Sequence, residues 1–322
     1  MRAKIIGTGS CLPDRSATND YLSTIMDTSD QWIHSRTGIH KRHLVSSEEE
    51  TTLTLAVNAA NAALEDAGIL PAQLDLILVA TVSSDFITPS TACMVQKALG
   101  ACHATAFDIN AACSGFLFAL NTVDAYFQSG ACQTALIIGV ETLSKIIDWS
   151  DRSTCVLFGD GAGAVVAKAS EEGMVASIQG SDGTGGDILI CKNRTNNNPY
   201  IATGTDPGYL SMNGQEVFKF AVKKVPECIQ SLLAQTGLCA SDVTYYLLHQ
   251  ANYRIITSIA RKLKLPIEKF PSNVERCGNT SAASIPILLD EVHKEGKLSE
   301  GDILLLSGFG AGLTWGAALL KW

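Results

Sequence analysis

The run Ile109-Asn110-Ala111-Ala112-Cys113-Ser114-Gly115-Phe116 sets a thiol among small neighbours, between an apolar segment and a helix. Phe107-Asp108-Ile109 ends the apolar segment, and from Ser114 to Tyr126 the residues Phe116, Leu120, Val123 and Tyr126 share one helical face. Cys113 therefore falls at a helix's first turn. Unpaired N–H groups and the positive dipole end favour an anion there, so its thiol is expected to ionise more readily than a free cysteine's. Such a thiolate is a nucleophile; the other reading is a small buried hydrophobe. His249 follows the apolar run Tyr245-Tyr246-Leu247-Leu248, and Asn279 sits in Gly278-Asn279-Thr280. Taken singly, these read as a hydrogen-bonded histidine and a capping asparagine. Gly159-Asp160-Gly161-Ala162-Gly163-Ala164 matches a dinucleotide fingerprint only formally, because Val165-Val166-Ala167 reads as a strand where a helix is needed.

Helices and strands in alternation must position these groups. Residues 3–9 read as a strand, Glu50 to Ala67 as a helix stopped by Gly68, and Leu74 to Val82 as a strand buried on both faces. Ser90 to Leu99 reads as a helix and Ala135 to Gly139 as another buried strand, while the polar residues 195–210 read as surface loop. The pattern then recurs. Ala63 to Thr81 can be laid on Leu232 to Gln250, with Gly68 on Gly237 and Leu76-Ile77-Leu78-Val79 on Tyr245-Tyr246-Leu247-Leu248. Ser281 to Glu295 and Ile303 to Ser307 repeat helix and strand, and Gly308-Phe309-Gly310-Ala311-Gly312 echoes the run at Gly159. An internal duplication explains this, giving an α/β fold with helix-covered sheets in two similar halves, 1–170 and 171–322. Where the first half has Cys113, the second is expected to hold Gly278-Asn279-Thr280. His249 lies at a strand's carboxyl end, where ligands of open α/β sheets gather, so Cys113, His249 and Asn279 are expected to converge between the halves.

The chain has 322 residues, 46% of them hydrophobic, and a formal net charge of −8. That balance argues against disorder and against a duplex nucleic-acid binder, which needs clustered Lys and Arg. No apolar run approaches the ~18 residues of a membrane span, and the start lacks a signal peptide's apolar region. Ten cysteines occur without a CxxC pair and six histidines without an HxxxH pair, so a metal site is not expected and reduced thiols in a cytoplasm are.

Six motifs carry a resemblance to the β-ketoacyl-acyl carrier protein synthase III family of the thiolase superfamily. They are Asp27-Thr28-Ser29-Asp30-Gln31-Trp32-Ile33 with Arg36-Thr37-Gly38-Ile39; Ala111-Ala112-Cys113-Ser114-Gly115; Phe158-Gly159-Asp160-Gly161-Ala162-Gly163; His249-Gln250-Ala251-Asn252; Gly278-Asn279-Thr280-Ser281-Ala282; and Gly308 to Gly316. The resemblance implies a thiolase-like fold of two pseudo-symmetric halves and a catalytic set of Cys113, His249 and Asn279. It implies an acyl-Cys113 intermediate formed from an acyl-CoA, then decarboxylative condensation with malonyl-acyl carrier protein, and no cofactor beyond the coenzyme A thioester. The N–H groups of Cys113 and Ala311 would form the oxyanion hole. Thr28, Trp32, Arg36, Arg152, Gly214 and Asn252 would bind coenzyme A, with Trp32 and Arg152 sandwiching the adenine. Thr88, across a homodimer interface, and Phe158 would line the acyl pocket; Lys219, Arg254, Arg261 and Lys262 would dock the acidic carrier protein. Threonine at 88, where many relatives carry a bulky aromatic, leaves room for a longer or branched primer. Two rivals remain: a relative that loads non-acetyl groups in secondary metabolism, and a non-catalytic partner subunit, against which the intact Cys113, His249 and Asn279 speak.

Overall fold

The computed structural model describes residues 1–202 and 208–322. Its first sheet takes β1 (Arg2–Cys11), β2 (Leu76–Ala80), β3 (Thr105–Ile109), β4 (Thr134–Thr142) and β5 (Asp160–Ser170), in the order β1-β5-β4-β2-β3. The second takes β6 (Met174–Ser181), β7 (Tyr245–Leu248), β8 (Ile303–Gly310) and β9 (Thr314–Lys321), in the order β7-β8-β9-β6. Read from the other edge, the second sheet retraces the first. β6-β9 and β9-β8 are antiparallel and β8-β7 parallel, as are β1-β5, β5-β4 and β4-β2 in turn. Among the described residues no strand answers β3. In its place the Gln250 side-chain oxygen accepts the Ser272 hydroxyl (2.8 Å) and the N–H groups of Asn273 (3.1 Å) and Val274 (3.3 Å).

Helices sort by their apolar faces. α2 (Thr52–Ala67) and α3 (Thr91–Leu99) cover the outer face of the first sheet, while α5 (Gly214–Thr236) and α6 (Tyr253–Leu263) cover that of the second. α4 (Gly115–Ser129) and α7 (Ser284–Lys294) lie between the sheets, and their Phe116, Leu120, Phe127, Leu288 and Leu289 fill the central core. α1 (Asp30–Thr37) stands apart, begun by a Ser29 side-chain cap and packed through Ile33 into a smaller cluster with Phe158. The matched glycines Gly68 and Gly237 both end helices in the left-handed region, at φ 63° and 72°. The surface-loop reading of 195–210 falls partly on 203–207, outside the described residues; before them Asn197–Asn198 and Ile201–Ala202 pair as a short hairpin.

The layers touch where side chains are missing. A Cβ on Gly139 of β4 would lie 2.3 Å from Ala282 O, and one on Gly163 of β5 would lie 2.5 Å from Ile287 N. Neither backbone atom can withdraw without moving α7. Gly139→Ala is therefore expected to lower stability by about 1–3 kcal/mol, with an unchanged urea m-value, as read from denaturation curves.

Candidate active site

Cys113 stands in a single tight turn, Ala112–Ser114, just before α4, whose first residue is Gly115 rather than Ser114. Ala112 takes a φ of 47°, and Ser281 repeats this with 49° in the turn Ser281–Ala283 that precedes α7. Superposing these turns matches Cys113 with Ala282 and Asn279 with Asn110. The expected equivalence of Cys113 with the Asn279 segment is thus three residues out of register. Asn279 lies before its turn, held by its main chain between Leu157 O (2.8 Å) and Gly159 N (3.0 Å), while its side-chain oxygen accepts the Ser281 N–H (2.9 Å). Its amide nitrogen has no partner among the described residues.

The end of β8 draws the other parts in. A Cβ on Gly308 would meet the His249 Cβ at 3.2 Å, and one on Gly310 would meet Cys113 N at 2.7 Å. The two glycines are two residues apart, or about 7 Å of strand. Phe309 between them meets the His249 ring edge to face at 5.4 Å. Thr314 Oγ1 lies 3.1 Å from Ala111 O and 3.0 Å from Ala311 O, tying the glycine run to the cysteine turn. Cys113, Ser281, Phe158 and Ala311 line one cleft of about 550 Å³ with the aliphatic Val82, Ile87, Leu143 and Ile146. Cys113 is 8% exposed, Asn279 6% and His249 2%.

Burial decides the protonation states. It pushes the Cys113 thiol up to about 12; the Ser281 hydroxyl favours the ionised form and the charge of Glu141 opposes it. The expectation of a readily ionised thiol is therefore overturned in the resting site, because lost hydration outweighs one helix turn's dipole. Burial also pulls His249 down to about 3, so its ring is neutral. His249 Nδ1 lies 2.7 Å from Ser284 Oγ, which also receives the Gln250 N–H at 3.4 Å. The serine oxygen keeps a second lone pair and its own proton, so it can pair with either neutral tautomer; when it donates to Nδ1, the ring proton sits on Nε2.

Near the surface, the Arg36 and Arg152 guanidiniums stand 4.7 and 5.0 Å from the Trp32 ring centre. Arg152 also donates to Asp27 O (2.8 Å), and Thr28 Oγ1 is buried without a partner among the described residues. A base sandwiched between Trp32 and Arg152 needs two contacts of ~3.5 Å, about 7 Å in all, so Arg152 must swing back to admit one. Asn252 is committed elsewhere: it caps α6 through the Arg254 N–H (2.8 Å) and donates to Arg36 O (3.0 Å). Gly214 opens α5, exposed. Thr88 is exposed and takes no part in the cleft of its own chain, which Ile87 lines instead. Arg254 lies 5.9 Å from the Phe218 ring centre and Lys262 reaches Val222 O (3.3 Å), so these two follow the α5–α6 seam; Lys219 pairs with Glu216 within α5 (2.7 Å), and Arg261 is in α6's last turn.

The sequence reading missed Glu141, Ser281 and Ser284. A signal existed for the first: one carboxylate in Ala135 to Thr142, a strand run with every residue buried, is rare unless it has partners.

Five alternating layers, with a cysteine cleft where two like-ordered sheets meet, define a condensing enzyme of the thiolase fold. The family model of 3-oxoacyl-[acyl-carrier-protein] synthase III matches residues 107–183, and that of its C-terminal part matches residues 233–322. The chain is 50% identical to a β-ketoacyl-[acyl-carrier-protein] synthase III of Clostridium acetobutylicum over 99% of this chain and 98% of that one. The solved 3-oxoacyl-[acyl-carrier-protein] synthase III of Aquifex aeolicus superposes with a TM-score of 0.93 at 46% identity, covering 99% of this chain and all (100%) of that one. The priming β-ketosynthase of the R1128 polyketide pathway superposes at 0.92 with 35% identity, covering 99% and 96%. The chain belongs to the β-ketoacyl-[acyl-carrier-protein] synthase III family and is an acyltransferase.

The neutral histidine has a measurable consequence. Between its ordinary 6.5 and about 3, the unfolded chain takes up a proton at this imidazole and the folded chain does not, so stability falls as pH drops through that window. His249→Gln is expected to make that fall shallower, by up to about 1.4 kcal/mol per pH unit, in urea midpoints measured from pH 6.5 downward.

Proposed function

We propose that this chain condenses an acyl-CoA primer with malonyl-acyl carrier protein, releasing carbon dioxide and giving a β-ketoacyl-acyl carrier protein that starts fatty acid synthesis. The observation that carries the reading is a cysteine lining a cleft with Ser281, a neutral imidazole against Gly308, two residues along β8 from the Gly310 that meets Cys113, and, two residues before Ser281, an asparagine amide nitrogen unpartnered among the described residues. Cys113 attacks the primer's thioester carbonyl, and coenzyme A leaves as its thiolate, so the acyl group stays on Cys113 while the second substrate enters. Decarboxylation of the malonyl group puts charge on its thioester oxygen. His249 Nε2–H and the Asn279 amide donate to that oxygen, neutral donors that need no rearrangement as charge builds. The carbanion attacks the acyl carbonyl, whose oxyanion is met by the N–H groups of Cys113 and Ala311. Coenzyme A is a substrate, and the reading needs no bound cofactor.

In this reading Trp32, Arg36, Arg152 and Thr28 meet the nucleotide end of coenzyme A, Gly214 and Asn252 its pantetheine arm, and Lys219, Arg254, Arg261 and Lys262 the carrier protein. The halves divide at 170/171, and the enzyme works as a cytoplasmic homodimer in which Thr88 faces the partner's acyl pocket beside Phe158. The exposed Phe86 and Ile87 next to Thr88 support that dimer. Among the described residues no helix is long and apolar enough to cross a membrane. The aliphatic cleft wall supports a primer longer than acetyl, and likeness to a priming polyketide synthase keeps non-acetyl loading as the second reading.

Intact-protein mass after mixing with a panel of acyl-CoAs is the test. Acyl adducts are expected on the wild type, absent from Cys113→Ala, and discharged by malonyl-acyl carrier protein. His249→Ala and Asn279→Ala are expected to acylate yet lose about 10²–10³ in condensation rate. Adducts that form equally on Cys113→Ala refute the nucleophile; adducts that ignore malonyl-acyl carrier protein favour the second reading.

A further inference from the structure

Glu141 is fully buried near the end of β4, on the same face as Gly139, against which the Ser281–Ala283 turn packs. Donors reach it from two directions. Its Oε2 accepts the Ser83 hydroxyl, the Val82 N–H (3.1 Å) and the Thr81 hydroxyl (3.3 Å), all from the segment that follows β2. Its Oε1 accepts the Ser281 hydroxyl (3.1 Å) from the turn before α7. Among the described residues no cation pairs with it; Lys145, on the turn after β4, is bound to Asp85 and Thr52, both at 3.0 Å. A buried carboxylate without a cation is costly to keep, so its use lies in what its oxygens hold.

Each direction leads to a different part of the catalytic cleft. Val82, Ser84 and Ile87, within and just beyond the first segment, line the cleft together with Cys113. On the other side the Ser281 N–H donates to Asn279 Oδ1 (2.9 Å), which fixes the plane of the Asn279 carboxamide. Ser281 takes a φ of 49°, a conformation that a residue other than glycine keeps only where its surroundings enforce it. Its counterpart in the cysteine turn, Ala112, has no hydroxyl to give. In the second turn that hydroxyl is present, and it is spent on Glu141.

We propose that Glu141 is a positioning residue for both substrates. Through Thr81, Val82 and Ser83 it sets the wall that selects the primer, and through Ser281 it aims the Asn279 amide at the malonyl thioester. The inference rests on Cys113 being the nucleophile and Asn279 a donor to that thioester. A carboxylate offers an acceptor oxygen to each side. Glutamine keeps one acceptor for the Val82 N–H, and its amide N–H is met by the Ser281 hydroxyl turned to accept. The arrangement therefore survives glutamine, whereas alanine severs both sides.

The test separates two steps of the whole enzyme. Primer choice is read from the rates at which acetyl-, isobutyryl- and octanoyl-CoA acylate Cys113, by intact-protein mass. Condensation is read as the single-turnover rate at which malonyl-acyl carrier protein discharges a preformed acyl-enzyme. Ser83→Ala, which leaves Ser281 its bond, is expected to raise the isobutyryl and octanoyl rates relative to acetyl by about three- to tenfold, with discharge unchanged. Ser281→Ala is expected to slow discharge about tenfold, with the primer ratios unchanged. Glu141→Ala is expected to do both, and Glu141→Gln to restore both. A residue that served stability alone would leave every folded variant alike in the two readouts. Primer ratios untouched by Ser83→Ala, discharge untouched by Ser281→Ala, or Glu141→Gln as impaired as Glu141→Ala overturns the proposal. The two serine variants decide it where Glu141→Ala fails to fold. Cys113→Ala and Asn279→Ala, run alongside, test the reading beneath it. Adducts on the first or rapid discharge in the second refute that reading and the proposal together; slow discharge in Asn279→Ala with rapid discharge in Ser281→Ala refutes the proposal alone.

Discussion

The site depends on how closely two backbone turns approach one another at the joint between the sheets. Ala112–Ser114 and Ser281–Ala283 each pass through a residue with positive φ, then start the helices of the central layer. They meet because the strands beneath carry no side chain at the contact: Gly139 under Ala282, and Gly310 against Cys113. Close packing on this scale transmits position well, since interiors have few voids into which a turn can relax. The thiol, the Ser281 hydroxyl and the Asn279 amide are thereby set by backbone, with little left to side-chain rotamers.

That approach also dries the site. Removing water pushes Cys113 up and His249 down, and lifts Glu141 toward neutrality. One cause therefore moves three groups away from their ordinary ranges, each toward its uncharged form.

Much of this was legible in the sequence. β2 and β4 announced themselves as largely apolar runs, Gly68 and Gly237 as matched helix ends, and Cys113 as a thiol among small residues. Sequence spacing could not reveal the register of the duplication at the turns, because the residues that define it are Ala112 and Ser281, alike only in an unusual φ. The direction of the thiol's shift was missed for a related reason. Local sequence reports the helix start, whereas burial comes from Gly310 and Ser281, almost 200 and 170 positions away. Glu141 reads as an anomaly in a strand until Ser83 and Ser281 arrive from elsewhere. Thr88 was placed by likeness to relatives, and its own chain leaves it at the surface.

Trp32 carries two guanidiniums on its ring, Arg36 at 4.7 Å and Arg152 at 5.0 Å. A planar base that stacks there replaces an existing partner and covers little bare apolar surface. The drop in heat capacity that accompanies apolar burial is then small for that contact. The displaced guanidinium stays at hand as a positive charge for an anionic neighbour of the base. Recognition of a base at this mouth would be an exchange of stacking partners, with the surplus left to charge and therefore weakened by salt.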